Sequence, residues 1–198
     1  MTPKQVERLR KKISSIKRTL AAEKRKFGGY DDSRGLRYLP TKYYIQLQDY
    51  KGGLTYLRWF NKNFPDDGGF PIFLFEWTII LIKCGKTREA AKKAFETFCA
   101  NTYLFDKFLG RPITPIDKWE GSNLEVPGFT EYLEYSSIQV EFSEFSEWLD
   151  NLIATEHFKS HSEKYIEIQR RLKTESDREE RRYLNMQAQQ LEETFFPR

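Results

Sequence analysis

Apolar residues are spaced in distinct ways along the chain, and each spacing predicts a different kind of helix. Near the N-terminus Val6, Leu9, Ile13, Ile16 and Leu20 recur at alternating intervals of three and four, and Phe27 resumes the phase. That is the narrow seam of a coiled-coil-like helix. Lys and Arg fill much of the remaining face, and "GGYDDSRG" (28–35) ends it. From Ile72 to Ile82 the chain is apolar except for Glu76 and Thr78. This run is about half of the ~20 residues that cross a bilayer, and a Glu near its middle costs about 3 kcal/mol in lipid. It stops at Lys83-Cys84-Gly85, where glycine suits a left-handed helix end. A second helix opens at Lys86-Thr87 and carries Ala90, Ala94 and Phe98 on one face. The pair predicts a closely packed helical hairpin, not a membrane span, with Trp77, Ile80, Leu81 and Cys84 in its core.

In the last third, Phe142, Phe145, Trp148, Leu149 and Leu152 form one apolar stripe over 138–153, beside an acidic stripe of Glu141, Glu144 and Glu147. The pattern continues through Tyr165, Ile168 and Leu172 and weakens over 173–182. It returns as Tyr183, Met186 and Leu191. That last helix has few apolar anchors and needs a partner helix. Between these regions, 110–128 holds three prolines and three glycines and predicts a long irregular connection. Trp119 in its middle either clips it to the core or stands out as a contact residue. The expected class is therefore all-α. Its parts are a basic amphipathic helix (1–28), helical hairpins (34–110), an irregular connection (111–128) and C-terminal helices (129–198).

The hairpin region contains a repeat. "QDYKGGLTYLRWFNKNFPDD" (48–67) lies over "GKTREAAKKAFETFCANTYL" (85–104), which places Asp49-Tyr50 over Lys86-Thr87, Gly53 over Ala90 and Leu57 over Ala94. Over roughly 34–104 this resembles the tetratricopeptide repeat, a helix–turn–helix unit of 34 residues. The three extra residues here fall around "GGF" (68–70). Tyr50 matches the aromatic after the inter-helix turn, Gly53 and Ala90 the small packing position, Gly85 the turn and Pro65 the end of a unit. Pro40, Trp77-Thr78 and Thr102 depart from the pattern, and an unrelated bundle of helical hairpins is the alternative. Two such units cannot bury their apolar faces alone, so other segments must cap them. "LFDKFLG" (104–110) looks like a third unit cut short by Pro112 and Pro115.

The resemblance implies protein binding along the first helices of the hairpins. The partner-binding positions it points to are Tyr38, Lys42, Ile45 and Gln46, then Ile72, Phe75, Ile79 and Lys83. The two lysines are similar to the basic clamp with which relatives hold C-terminal carboxylates, but the other positions are too apolar for that clamp. Such a groove is either open to a partner or filled by the chain's own C-terminal helix.

Composition changes this picture little. With 16 Phe, 11 Tyr and 4 Trp in 198 residues, the chain has the material for a core and is not a disordered segment. Charge changes it more. Residues 1–28 hold ten Lys/Arg and two Asp/Glu (10 − 2 = +8), whereas 116–156 hold one Lys and ten Asp/Glu (1 − 10 = −9). The two segments either attract each other or serve different partners. The N-terminal helix is therefore expected on helices of the C-terminal third, within one chain or between two copies of a homo-oligomer. Its other reading is phosphate contact with nucleic acid through Arg10, Lys11, Lys17 and Arg18. No zinc-finger or RNA-recognition signature accompanies those residues.

Enzymatic chemistry has thin support. His157 and His161 share one helical face, but no HExxH or paired cysteine ligand joins them. "GKT" (85–87) lacks the glycine of a phosphate loop, because Ile80 stands five residues before Gly85. The carboxylates of 141–150 lie on a solvated face. The expectation is a non-enzymatic adaptor or regulatory subunit without catalytic residues, metal or cofactor, whose partner is another protein. The segment "MTPKQVERLRKK" lacks the apolar stretch of a secretory signal, and Cys84 and Cys99 fit reduced thiols, so the expected place is the cytoplasm.

Overall fold

A computed structural model describes residues 1–30 and 34–195. Every regular element among them is helical, as expected. In chain order they are α1 (Pro3–Phe27), α2 (Leu39–Gln46), α3 (Tyr50–Asn63), α4 (Pro71–Lys83), α5 (Thr87–Ala100), α6 (Leu104–Leu109), α7 (Ser143–Ala154), α8 (Glu156–Thr174) and α9 (Arg178–Thr194). Of the break expected at 28–35, residues 31–33 lie outside the described residues.

Helix α4 is the centre. It is buried on all sides, Glu76 included, which explains why its sequence is apolar all round instead of amphipathic. Gly85 adopts φ 70° just after it, and the Lys86 N–H donates to Leu81 O at 2.9 Å, closing the turn into α5. Ala90 and Ala94 on α5 are fully buried against α4. The first hairpin, α2 and α3, packs on the other side of α4. Its closest approach is at Gly53, where a Cβ would stand 3.0 Å from Ile80 Cδ1 and 3.3 Å from Tyr44 Cβ. Asp49 caps α3 by accepting from the Gly52 N–H at 2.9 Å, and Pro40 falls in the first turn of α2, where a missing N–H costs nothing.

Of the two alternatives for the groove, open or filled from within, the described residues favour a filled one. Phe75 and Ile79 are fully buried and Ile45 nearly so. The Phe75 ring meets Phe108 at 5.2 Å, Phe145 at 5.5 Å and Tyr135 at 5.9 Å between centroids. These rings come from α6, α7 and the loop before α7, so the chain fills the space from within. The last helices do not fill it; α8 and α9 pack on each other and on α5. There Phe195 stacks on Phe95 at 4.3 Å, and Leu184 and Ala188 are buried, while Tyr183 and Met186 face outward.

Within the chain, helix α1 departs from expectation. It lies on the first hairpin, not on the C-terminal third: Ile13 packs with Tyr44 and Tyr56, and the Lys17 ammonium donates to Tyr44 OH at 2.9 Å. The acidic segment finds its cations elsewhere, in Lys42–Glu134 (2.6 Å), Lys83–Glu144 (2.9 Å), Arg111–Asp150 and Lys173–Asp117. The connection after α6 is irregular, as expected, and strapped down. Asn101 donates to Leu124 O and Val126 O, and Tyr103 OH accepts from the Ile116 N–H at 3.1 Å. Trp119 is neither buried nor free: its N–H backbone donor holds Gln169 O at 2.9 Å, and Arg181 lies over its ring at 4.9 Å. Among the described residues no helix is long and apolar enough to cross a membrane.

Candidate functional site

One small cavity, about 180 Å³, opens where α2, α4 and the loop before α7 meet. Its walls are aromatic and aliphatic, with Tyr38, Leu39, Phe70, Ile72, Tyr132 and Tyr135. Its polar groups are Glu76, Lys42 and Glu134. Glu76 sits on the buried helix, 4% exposed, and accepts hydrogen bonds from Tyr135 OH at 2.7 Å and from Thr41 Oγ1. Burial pushes its pKa up to about 7, against the opposing pull of those two hydroxyls and of Lys42. Lys42 is paired with Glu134 at the rim.

The tyrosines are held by their own networks. Tyr38 OH donates to Asp67 at 2.8 Å and accepts from Arg37 at 2.8 Å. Its pKa rises to about 12, first through burial and then through Asp67. Burial would raise the Asp67 carboxyl as well, but donors from Arg37, Tyr38 and the Gly69 N–H outweigh it and hold that group low. Burial, then the Glu76 charge, pushes Tyr135 far up, so it stays a hydroxyl donor. Tyr132 is 71% exposed and forms a lip.

Of the eight expected partner-binding positions, the cavity brings together Tyr38, Lys42 and Ile72. Ile45, Phe75 and Ile79 belong to the core, Gln46 is exposed, and Lys83 is paired with Glu144. Sequence reasoning gave no role to Glu76 or to the loop residues Tyr132, Glu134 and Tyr135. The signal of Glu76 was present, a lone acid inside an apolar helix, and a buried acid needs an explanation.

The alternative basic residues are divided. Arg10, Lys11 and Arg18 are exposed on α1, with Lys11 paired to Glu7 at 2.7 Å, whereas Lys17 turns toward the first hairpin. Lys17, Lys24 and Arg25 border a groove of about 590 Å³ whose other side is Tyr30, Tyr56 and Trp59. A wider cleft of about 670 Å³ lies between the 65–68 turn, α5 and α9. Glu96 and Glu192 line it, and burial followed by Glu96 pushes Glu192 up to about 7. His157 and His161 each donate a ring N–H to a main-chain carbonyl, of Phe195 and His157 respectively, at 2.7 Å. Compared with family models, curated proteins and solved structures, the chain gives no match.

Proposed function

We propose that the chain is a non-enzymatic protein-recognition module, an adaptor or regulatory subunit, that engages another protein through the cavity at the α2–α4 junction. The observation that carries this reading is the convergence of Tyr38, Lys42 and Ile72 on one opening, while Ile45, Phe75 and Ile79 of the same expected set are buried in the core. These are positions where the tetratricopeptide resemblance places partner contacts. The reading keeps that resemblance for the two stacked hairpins and moves the contact from a long groove to a single pocket with a projecting aromatic lip. Aromatic side chains beside a desolvated pocket are the usual anchors of protein interfaces. A cytoplasmic setting accompanies it. The test is affinity capture from nuclease-treated extract with wild type and with Tyr132→Ala. A discrete protein retained by wild type and lost by the variant supports the reading; equal capture by both contradicts it.

A second reading has its own observation, the groove that combines Lys17, Lys24 and Arg25 with Trp59 and Tyr30. Cations beside aromatic rings suit single-stranded nucleic acid, in which phosphates pair and bases stack. If this reading holds, affinity falls steeply with salt and is lost on charge reversal at Lys17, Lys24 and Arg25, with Arg10, Lys11 and Arg18 on the same helix adding less. Little binding at ~150 mM salt rejects it.

A further inference from the structure

The cavity at Glu76 has a chemistry that selects among partners. We infer that it takes the ammonium end of a lysine side chain carried by the partner protein, with Glu76 as the counter-ion. This rests on the protein-recognition reading above and narrows it to one kind of anchor residue.

Charge makes the first argument. Glu76 and Glu134 carry two negative charges when ionised, and Lys42 carries one positive charge, which it spends on Glu134 at the rim. Glu76 is left with two hydroxyl partners, and hydroxyls orient a carboxylate without neutralising it. An entering cation therefore cancels the one uncompensated charge of the cavity. An entering anion would place three negative groups around a single ammonium. An apolar group would seal Glu76 from water and drive it to its protonated form, so it would draw no attraction from the carboxylate.

Shape makes the second. About 180 Å³ is room for the end of one side chain, not for a drug-sized ligand. The walls contributed by Tyr38, Phe70, Tyr132 and Tyr135 suit a methylene stem that ends in a cation. Each Glu76 oxygen already accepts one hydroxyl hydrogen. An ammonium has three rotatable donors and can meet a carboxylate lone pair from more directions than a guanidinium, which needs a coplanar path along the carboxylate edge. Lysine is therefore favoured over arginine.

The groups that face Glu76 are Tyr38 just before α2, Thr41 and Lys42 on α2, and Tyr132, Glu134 and Tyr135 from the loop. Tyr38 and Tyr135, both pushed up by burial, keep their protons through neutral pH, so ionisation of Glu76 tunes the site there.

The experiment is an amide-shift NMR titration of the full chain. The probes are Nα-acetyl-lysine amide, its arginine counterpart, the uncharged norleucine analogue that lacks the ammonium group, and Nα-acetyl-glutamate amide. The lysine probe should bind with a dissociation constant of about 1 mM, as expected for so small a ligand. It should shift residues around Glu76, bind more tightly at pH 8 than at pH 6, and exceed the norleucine probe by about tenfold. Glu76→Gln should weaken it by about tenfold or more. Lys42→Ala removes a like charge from the path of the probe and frees the Glu134 carboxylate at the rim, so at pH 8, where Glu76 is ionised, it should tighten binding by about twofold to fivefold. That second variant alters a rim residue, so it decides the matter even if Glu76→Gln fails to fold. Equal binding of norleucine or arginine, preference for the glutamate probe, or weakening by Lys42→Ala overturns the inference. If the lysine probe fails while Tyr132-dependent protein capture persists, the recognition reading stands and the lysine anchor alone is rejected.

Discussion

At the scale of single residues, Glu76 gives the most direct thermodynamic signature. Its carboxyl has an ordinary pKa of 4.5 and is pushed up to about 7 by burial. Between those values the folded chain holds the proton more tightly than the unfolded chain. Stability contributed by this group therefore falls as pH rises from about 4.5 to about 7, and the loss persists above. The Gln variant has no proton to lose and keeps an amide that can pair with both hydroxyls. Urea unfolding of Glu76→Gln should thus show a stability advantage over wild type that grows across this window, to at most on the order of 3 kcal/mol at pH 8. Glu192, also pushed up to about 7, titrates in both chains and cancels in the difference. A pH-independent difference contradicts the burial account. Glu76 itself was legible in the sequence as the acid that interrupts an apolar run. Its partners were not, because Thr41 and Tyr135 lie 35 and 59 positions away and no local spacing links them.

At the scale of elements, the hairpin of α4 and α5 was readable because its determinants are local. Gly85 at positive φ and the buried Ala90 and Ala94 all follow from residue size and from helical or turn geometry. The fate of the 75–79–83 stripe was not readable. Periodicity says which residues share a face, whereas what covers that face is decided by distant rings, here Phe108, Tyr135 and Phe145. The same holds for α9, where Leu184 and Ala188 turn inward and the larger Tyr183 and Met186 do not. Because Phe75 is fully buried, Phe75→Ala should lower stability by about 3–5 kcal/mol, and Phe75→Glu should abolish the fold. Gln46→Glu, at an exposed position of the same expected set, should stay within about 0.5 kcal/mol of wild type. Circular dichroism during chemical unfolding checks both. A folded Phe75→Glu chain means that the face is open after all.

At the scale of the whole molecule, the charge polarity misled about docking. A segment of −9 and a segment of +8 suggested one interface, yet the acids pair with Lys42, Lys83, Arg111 and Lys173 while α1 rests on aromatic rings of the first hairpin. Exposed ion pairs contribute little each, so net charge does not dictate which helices meet. Only Ile13 and Leu20 of α1 are buried, whereas α9 and the residue after it close over Phe95 and Phe158. Deleting 1–28 should leave a helical chain that still melts cooperatively at a lower temperature; deleting 178–198 should destroy cooperative melting. The reverse order would contradict the packing described. The central claim, that this scaffold presents one pocket to another protein, is tested most directly by a photo-crosslinking amino acid placed at Tyr132 in cells. A discrete protein adduct from position 132, absent when the same group stands at the exposed Asn61, is the predicted result. No adduct from 132, or nucleic acid as its only product, would contradict the account.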